Sequence, residues 1–331
     1  MKRILIKVVT ITLFVLLIPT LIFGGLFIYT LFRIDANPMG FDWQENLTFE
    51  LDEHTHIIEF DTSIDILFLT DIHFLNFFDH FTIDLMNETV EKANPDMIIL
   101  VGDNTFSPWN GEALDLLIQT MDSYELPWTL VFGNHDDFGR HTKNYMSKQL
   151  LDSLYSFYRY GPNDFGGAGN QIITFMSNDD IIHNFYLLDT VTTGEVSPPI
   201  TNNQKAFYQW AVEGMSDYAG NLVPSTLITH VALPEMKDAL LTGEILAGSQ
   251  GEPVSLMTNT GMFTLIKDLG STINTIHGHD HLNNTSVLYE GITMTYVNQI
   301  GMLTYGTRDK KGGTLLTLFQ DGTTQLELIY V

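Results

Sequence analysis

From residue 64 onward the chain repeats one pattern. A short, mostly apolar run is followed by a polar turn and then by a longer stretch with helical spacing. Ile64–Leu69, Met97–Val101 and Trp128–Phe132 are the clearest runs, and residues 82–93 and 111–122 lie between them. A nearly continuous apolar run of this length reads as a strand covered on both faces. Strand–helix–strand alternation predicts parallel pairing in a sheet packed by helices. Further on, Ile172–Phe175, Phe185–Leu188, Ser225–Thr229 and Thr272–Ile276 read as strands, and residues 203–214 and 259–269 as helices. From Thr285 the pattern breaks into short β-like segments. Residues 61–331 read as one α/β domain.

The first residues follow a different rule. Val8–Phe32 contains no charged residue, and Lys2, Arg3 and Lys7 precede it. A helix needs about 20 residues to span hydrocarbon, and signal-peptide cores are shorter, about 7–15 residues. Residues 1–34 are therefore expected to be a membrane anchor with a transmembrane helix through residues 8–32. The basic cluster before it puts the amino terminus in the cytoplasm and the following domain outside the cell. Cleavage of the segment would instead give a secreted protein. Residues 35–60, with Pro38 and Gly40, are expected to be a juxtamembrane linker.

Charge narrows the function. The 331 residues carry 40 Asp and Glu against 15 Lys and Arg, a net charge of −25. No basic face is expected to bind nucleic acid or an anionic membrane. An anionic substrate would need local positive charge, which bound cations would supply. There is no cysteine, which removes disulfides, thiolate ligands and cysteine nucleophiles.

The polar residues that matter sit where the strands end. Asp71 and His73, Asp103, Asn134 and His135, His230, and His279 and His281 each follow an apolar run. In open α/β sheets, sites collect at the carboxyl ends of strands. The donors are oxygen and imidazole without sulfur, a set that suits zinc, manganese, iron or cobalt. In an extended loop His279 and His281 would point to opposite sides and so serve different ions. His277 and Asp280 read as supporting residues rather than ligands, and Asp189 as a strand-end residue without a metal role. His54, His56, His80, His141 and His183 read as surface or packing residues.

The order Asp71-x-His73, Gly102-Asp103, Gly133-Asn134-His135-Asp136, His230 and Gly278-His279-Asp280-His281 resembles the calcineurin-like metallophosphoesterase superfamily. The context of these motifs is similar to the branch related to purple acid phosphatases. The resemblance runs from about residue 62 to residue 310. It implies a four-layer fold, a two-sheet β-sandwich flanked by helices. It also implies two divalent metal ions, manganese, iron or zinc. Asp71, His73 and His281 would hold one ion, and Asn134, His230 and His279 the other, with Asp103 bridging both. A metal-bridging hydroxide would then attack a phosphate mono- or diester, and His135 would protonate the leaving group or donate a hydrogen bond to a phosphoryl oxygen. The substrate would be a small phosphorylated molecule or a phosphoester polymer.

The chain departs from this pattern at Phe106. In purple acid phosphatases this position is a tyrosine ligand of ferric iron, and in the protein serine/threonine phosphatase branch an aspartate that orients the catalytic histidine. Phenylalanine does neither, so a colourless protein is expected. Asp136 or Asp137 is the remaining candidate to orient His135. The alternative to an enzyme is a catalytically silent, metal-containing surface receptor for phosphorylated ligands. Phe74, Phe77, Phe106 and Trp109 are candidates to line the site entrance.

Overall fold

The structure, a computed structural model, describes residues 29, 32–44, 47–163, 165, 167–191 and 197–331. Most of the expected membrane segment, residues 1–28, 30 and 31, lies outside the described residues. Among those described, no helix is long and apolar enough to cross a membrane.

The strands of the described residues form two sheets. The larger contains β1 (Thr55–Glu59), β5 (Gln171–Ser177), β6 (Asp180–Leu188), β7 (Ser225–Thr229), β8 (Glu244–Ala247), β9 (Thr272–His277), β10 (Ser286–Tyr289) and β11 (Ile292–Tyr296), in the order β1-β5-β6-β7-β9-β11-β10-β8. The smaller contains β2 (Ser63–Leu69), β3 (Met97–Val101), β4 (Trp128–Val131), β12 (Gly312–Phe319) and β13 (Thr324–Tyr330), in the order β13-β12-β2-β3-β4. As the strand–helix alternation predicts, β2, β3 and β4 pair in parallel. So do β6, β7 and β9.

Alternation of side chains along each strand explains the layers. In the smaller sheet Ile66, Phe68, Ile99, Val101 and Val131 face Phe175, Phe185, Leu187 and Ile228 of the larger sheet. Their neighbours Leu67, Leu69, Ile98, Leu100 and Leu130 turn the other way, onto Leu85, Met86, Leu114 and Leu117. Those residues belong to the helices His80–Ala93 and Asn110–Asp122. Helices Asn202–Ala219 and Met262–Leu269 cover the outer face of the larger sheet through Phe207, Tyr208, Ala211 and Ile266. The result is helix, sheet, sheet, helix. Central strands such as β3 and β4 are wrapped in apolar side chains on each side, which is why their sequences read as unbroken apolar runs.

Two boundaries fall elsewhere than the sequence suggests. Residues 55–59, expected within a linker, form β1 and pair in parallel with β5 from Thr55↔Ile172 to Glu59↔Met176. The strand holds Thr, Ile and Ile beside one histidine and a glutamate, too polar an edge to stand out. Helix Asn202–Ala219 runs past the expected residue 214. A capping box starts it, with Thr201 accepting from the Gln204 amide and the Gln204 side chain accepting from the Thr201 amide, a device worth about 1 kcal/mol.

His183 tests the packing between the layers. It is wholly buried on β6, with Nε2 2.9 Å from Thr226 Oγ1. Burial pushes its pKa down to about 3 from the usual 6.5. The unfolded chain therefore takes up the proton first, so this stability is present above about pH 6.5 and is lost as pH falls toward 3. At pH 5 the loss is about 2 kcal/mol. Urea midpoints at pH 7 and pH 5 are expected to fall further in the native protein than in His183→Asn; equal falls would clear His183 as the source.

Candidate metal centre

The parallel strands deliver their carboxyl ends to one edge of the sandwich. Asp71 follows β2 by two residues, Asp103 follows β3 by two, and Asn134 and His135 follow β4. From the facing sheet, His230 directly follows β7, and His279 and His281 follow β9. Backbone hydrogen bonds lace the edges together. The Asp71 amide donates to Gly102 O (3.1 Å), the His73 amide to Asp103 O (2.9 Å) and the Gly278 amide to His230 O (2.9 Å).

All eight candidate side chains are brought to this edge. Two groups of buried or nearly buried side chains offer metal-binding atoms within 4.8 Å of one another: Asp71, His73 and His281, and Asp103, His230 and His279. The groups touch. Asp71 Oδ1 lies 3.1 Å from His281 Nε2, 3.7 Å from His73 Nε2 and 3.9 Å from His230 Nε2. Asp103 Oδ2 lies 3.2 Å from His230 Nε2, 3.5 Å from His73 Nε2 and 3.9 Å from His135 Nε2. Asp103 thus reaches residues of both groups with a single oxygen.

Each carboxylate is half committed. Asp71 Oδ2 accepts from the His279 amide and the Thr70 hydroxyl, both at 3.0 Å. Asp103 Oδ1 accepts from the His135 amide at 2.8 Å. That fixes the planes of both groups and leaves Oδ1 of Asp71 and Oδ2 of Asp103 turned inward. The imidazoles are fixed from behind in the same way. His230 Nδ1 is 2.7 Å from Val101 O, and His281 Nδ1 is 3.0 Å from Tyr305 O. An outer nitrogen donating to a carbonyl leaves a bare Nε2 facing inward, the usual arrangement behind metal-binding histidines.

The donor set fits a cation pair on a further ground. Asn134 Oδ1 and both ring nitrogens of His73 are buried without a hydrogen-bond partner among the described residues. Each such buried group costs about 1–3 kcal/mol if nothing satisfies it. Asn134 Oδ1 and one nitrogen of the His73 ring are what a cation would satisfy.

The electrostatics point the same way. Burial would raise the Asp71 pKa, but His281 and His230 hold it well below the usual carboxylate range. Burial would lower the His230 pKa, but Asp103 and Asp71 overcome it and lift the group to about 9. In the protein alone, protons on histidine balance the carboxylates. A bound cation would displace them, since metal ligation needs neutral imidazole.

The backbone is shaped for this cluster. Asp71, His73, Asp103 and His279 have φ of 54°, 53°, 51° and 76°, a left-handed conformation that costs roughly 1–3 kcal/mol per residue where glycine is absent. His279 and His281 do serve different groups, but not through extended alternation, which sets residues two apart on the same side: the backbone bends at His279. Glycines make room for the carboxylates. A methyl on Gly133 would sit 2.1 Å from Asp103 Oδ1 and 2.3 Å from its amide nitrogen. Gly133→Ala is therefore expected to displace Asp103 and weaken metal affinity about 10–100-fold, measured by metal titration; unchanged affinity would show that the Asp103 carboxylate position does not matter.

Several supporting roles depart from the sequence reading. Neither Asp136 nor Asp137 orients the His135 ring. The Asp136 carboxylate is buried and accepts from the amides of Gly133 (2.7 Å) and Thr105 (2.8 Å) and from Asn104 Nδ2 (3.0 Å), holding the loops after β3 and β4 together. Asp137 pairs with Arg33. The ring that touches His135 is Phe106, 4.5 Å between centroids. Phe74 is fully buried in the core and does not line the entrance, whereas Phe77 and Phe106 are exposed.

His277 is buried between Thr229 and Thr275, bonded at both ring nitrogens. Asp280 accepts from the Tyr296 hydroxyl at 2.6 Å and from the Ser255 amide at 3.0 Å. Asp189 pairs with Lys143 at 2.9 Å, away from the ligand cluster. Sequence reasoning missed the Tyr305 loop, whose ring stacks on His281 at 4.0 Å and whose hydroxyl donates to Glu252 at 3.1 Å. No motif marks it, because its contact is made by ring and backbone.

Comparison with known proteins bears on the family and the fold. The profile of the family described as calcineurin-like phosphoesterase matches residues 64–283. Over 257 residues the chain is 23% identical to "Probable inactive purple acid phosphatase 14" of Arabidopsis thaliana, covering 68% of this chain and 63% of that protein. It is 26% identical over 229 residues to "Phosphatase DCR2" of Saccharomyces cerevisiae, covering 60% of this chain and 38% of that one. The chain thus spans less than two thirds of the length of these relatives. Among solved structures, purple acid phosphatase PPD1 from yellow lupin (Lupinus luteus) superposes with a TM-score of 0.50 at 12% identity, over 81% of this chain and 51% of that one.

Proposed function

Because this chain belongs to the calcineurin-like phosphoesterase family, we propose that it is a dinuclear metal-dependent phosphoesterase hydrolysing phosphate mono- or diesters. The observation that carries this reading is the contact between the two ligand groups through Asp103 Oδ2 and Asp71 Oδ1. Asp71, His73 and His281 would hold one ion; Asn134, His230 and His279 would hold the second, with Asp103 shared. When bound, such a pair supplies Lewis acidity, offsets phosphate charge and lowers the pKa of water.

The chain's own groups do the rest. Asn134 is a neutral donor and leaves the positive surplus intact. His135 is the ligand-cluster neighbour that opens to solvent, with 37% of its side chain exposed. Burial nevertheless holds its pKa below the usual value. A ring neutral at pH 7 suits donation of an N–H hydrogen bond to a phosphoryl oxygen better than outright protonation of the leaving group. His135→Ala is expected to lower turnover about 10²–10⁴-fold. The apolar run at residues 8–32, with Lys2, Arg3 and Lys7 before it, supports an anchored chain whose site lies outside the cell.

A second reading is a metal-containing receptor that binds phosphorylated ligands without cleaving them. It is favoured by Phe106 against His135, where no carboxylate orients the ring, and by the word "inactive" in the name of the Arabidopsis relative. Full-length protein supplied with Mn²⁺, Zn²⁺ or Fe²⁺ and assayed on p-nitrophenyl phosphate and its bis-ester separates the two. Turnover is expected. Two ions per chain with no hydrolysis selects the receptor, and no metal uptake overturns both.

A further inference from the structure

In so acidic a chain the rim of this site is unexpectedly apolar. Phe106 and Phe138, rings 5.0 Å apart, stand beside His135. Phe77, Phe78 and Phe81 follow the strand end that carries His73, and all five rings are among the exposed large apolar side chains of the described residues. Phe78 is 64% exposed.

This presentation is built in. Asn76 and Phe78 have φ of 70° and 61°, a conformation that is an outlier for a bulky residue. The buried Asp79 carboxylate pins the turn, its Oδ1 accepting from the Leu75 amide at 2.9 Å. A strained, pinned turn that points two phenyl rings at solvent needs a partner, since contiguous exposed apolar surface marks an interaction site.

The chain itself indicates the partner. The uncharged run Val8–Phe32 ends where the described chain is tied to this same rim. Arg33 pairs with Asp137. The Ile34 amide donates to Arg140 O at 2.8 Å, the Thr142 amide donates to Ile34 O at 3.0 Å, and Arg140 Nε donates to Phe32 O at 3.3 Å. Asp137 and Phe138 directly follow His135-Asp136, so the end of the apolar run and the mouth of the site share one side of the molecule.

We propose that this phenylalanine rim docks on the lipid bilayer and that the site acts on a phosphoester carried by a lipid. The proposal rests on the phosphoesterase reading and on residues 8–32 entering a membrane. Aromatic rings settle at the membrane–water interface, and a short tether makes docking intramolecular, at high effective concentration. The contact is apolar, so zwitterionic lipid suffices and the net charge of −25 is no obstacle. A mouth closed by the bilayer would favour substrates that arrive within it.

The absence of cysteine permits a clean test. Full-length Phe78→Cys and Leu222→Cys, each labelled with bimane, are reconstituted into phosphatidylcholine vesicles containing a nitroxide lipid. Leu222 precedes β7, at the end of that strand opposite His230. The label at 78 is expected to lose most of its emission and the label at 222 to keep it. Equal emission at both, or the reverse order, would overturn docking. This readout needs no turnover, so it stands or falls apart from the phosphoesterase reading. For the substrate, phosphatidic acid and phosphatidylglycerol in vesicles are compared with p-nitrophenyl phosphate. Phe77→Ser/Phe78→Ser is expected to lower lipid turnover about tenfold relative to the soluble ester. An unchanged ratio, or hydrolysis of the soluble ester with none of either lipid, would overturn the substrate assignment.

Discussion

Asp103→Ala is expected to strip both metal ions from the protein and to lower phosphoester turnover at least about 10³-fold. Its Oδ2 sits 3.2 Å from His230 Nε2 and 3.5 Å from His73 Nε2, and these histidines belong to different ligand groups. Among the described residues the next carboxylate oxygen, Asp71 Oδ1, lies farther from both, at 3.7 and 3.9 Å. Without it, the imidazoles of His230 and His279 and the amide of Asn134 would face a second divalent charge with no anion to balance it. Asp280→Asn is the matched control. Asp280 is also buried and lies between His279 and His281, but its carboxylate is tied to Tyr296 and Ser255, so the variant is expected to keep its metals. Metal content by mass spectrometry, read beside turnover, decides. Two ions per chain in Asp103→Ala would show that the carboxylate is not shared.

Removing the ions with a chelator is expected to be the largest change in stability open to this fold. Binding at 100 times the dissociation constant stabilises by about 2.7 kcal/mol per site. Two sites therefore contribute about 5 kcal/mol, and at about 2–4 °C per kcal/mol for a domain of this size the melting temperature should fall roughly 10–20 °C. The chelated protein should also gain a pH dependence. His230, lifted to about 9 by Asp103 and Asp71 against its burial, contributes stability fully present below about pH 6.5 and lost as pH rises through 9. Metal-loaded protein has no proton there to lose. Calorimetric melts at pH 7 and pH 9, with and without chelator, check both statements; a chelated protein that melts no lower than the loaded one would leave the cluster without a cation to bind.

The sequence makes some of this legible and hides the rest for physical reasons. Strands wrapped on both faces, such as Met97–Val101, show as apolar runs, and the helices between them show by spacing. Ligand candidates show because each stands directly after such a run. Contacts made by backbone leave no such mark. That Asp136 clamps two loops through amides, and that His279 reaches its group through a bend at φ 76°, depends on geometry that composition does not encode. Edge strand β1 hides because its residues are half polar. Phe77 reads as an entrance candidate, but Phe78 reads as core by type, and only its exposure on a pinned turn reveals another use. The expected membrane segment, lying almost wholly outside the described residues, rests on its sequence and on the rim to which residues 32–34 are tied.

Anomalous diffraction from crystals grown with Mn²⁺ tests the cation pair most directly. Two peaks about 3.5–4 Å apart are expected, one against Asp71, His73 and His281, the other against Asn134, His230 and His279, with Asp103 between them. A lone peak, or none within reach of Asp103, would contradict the pair.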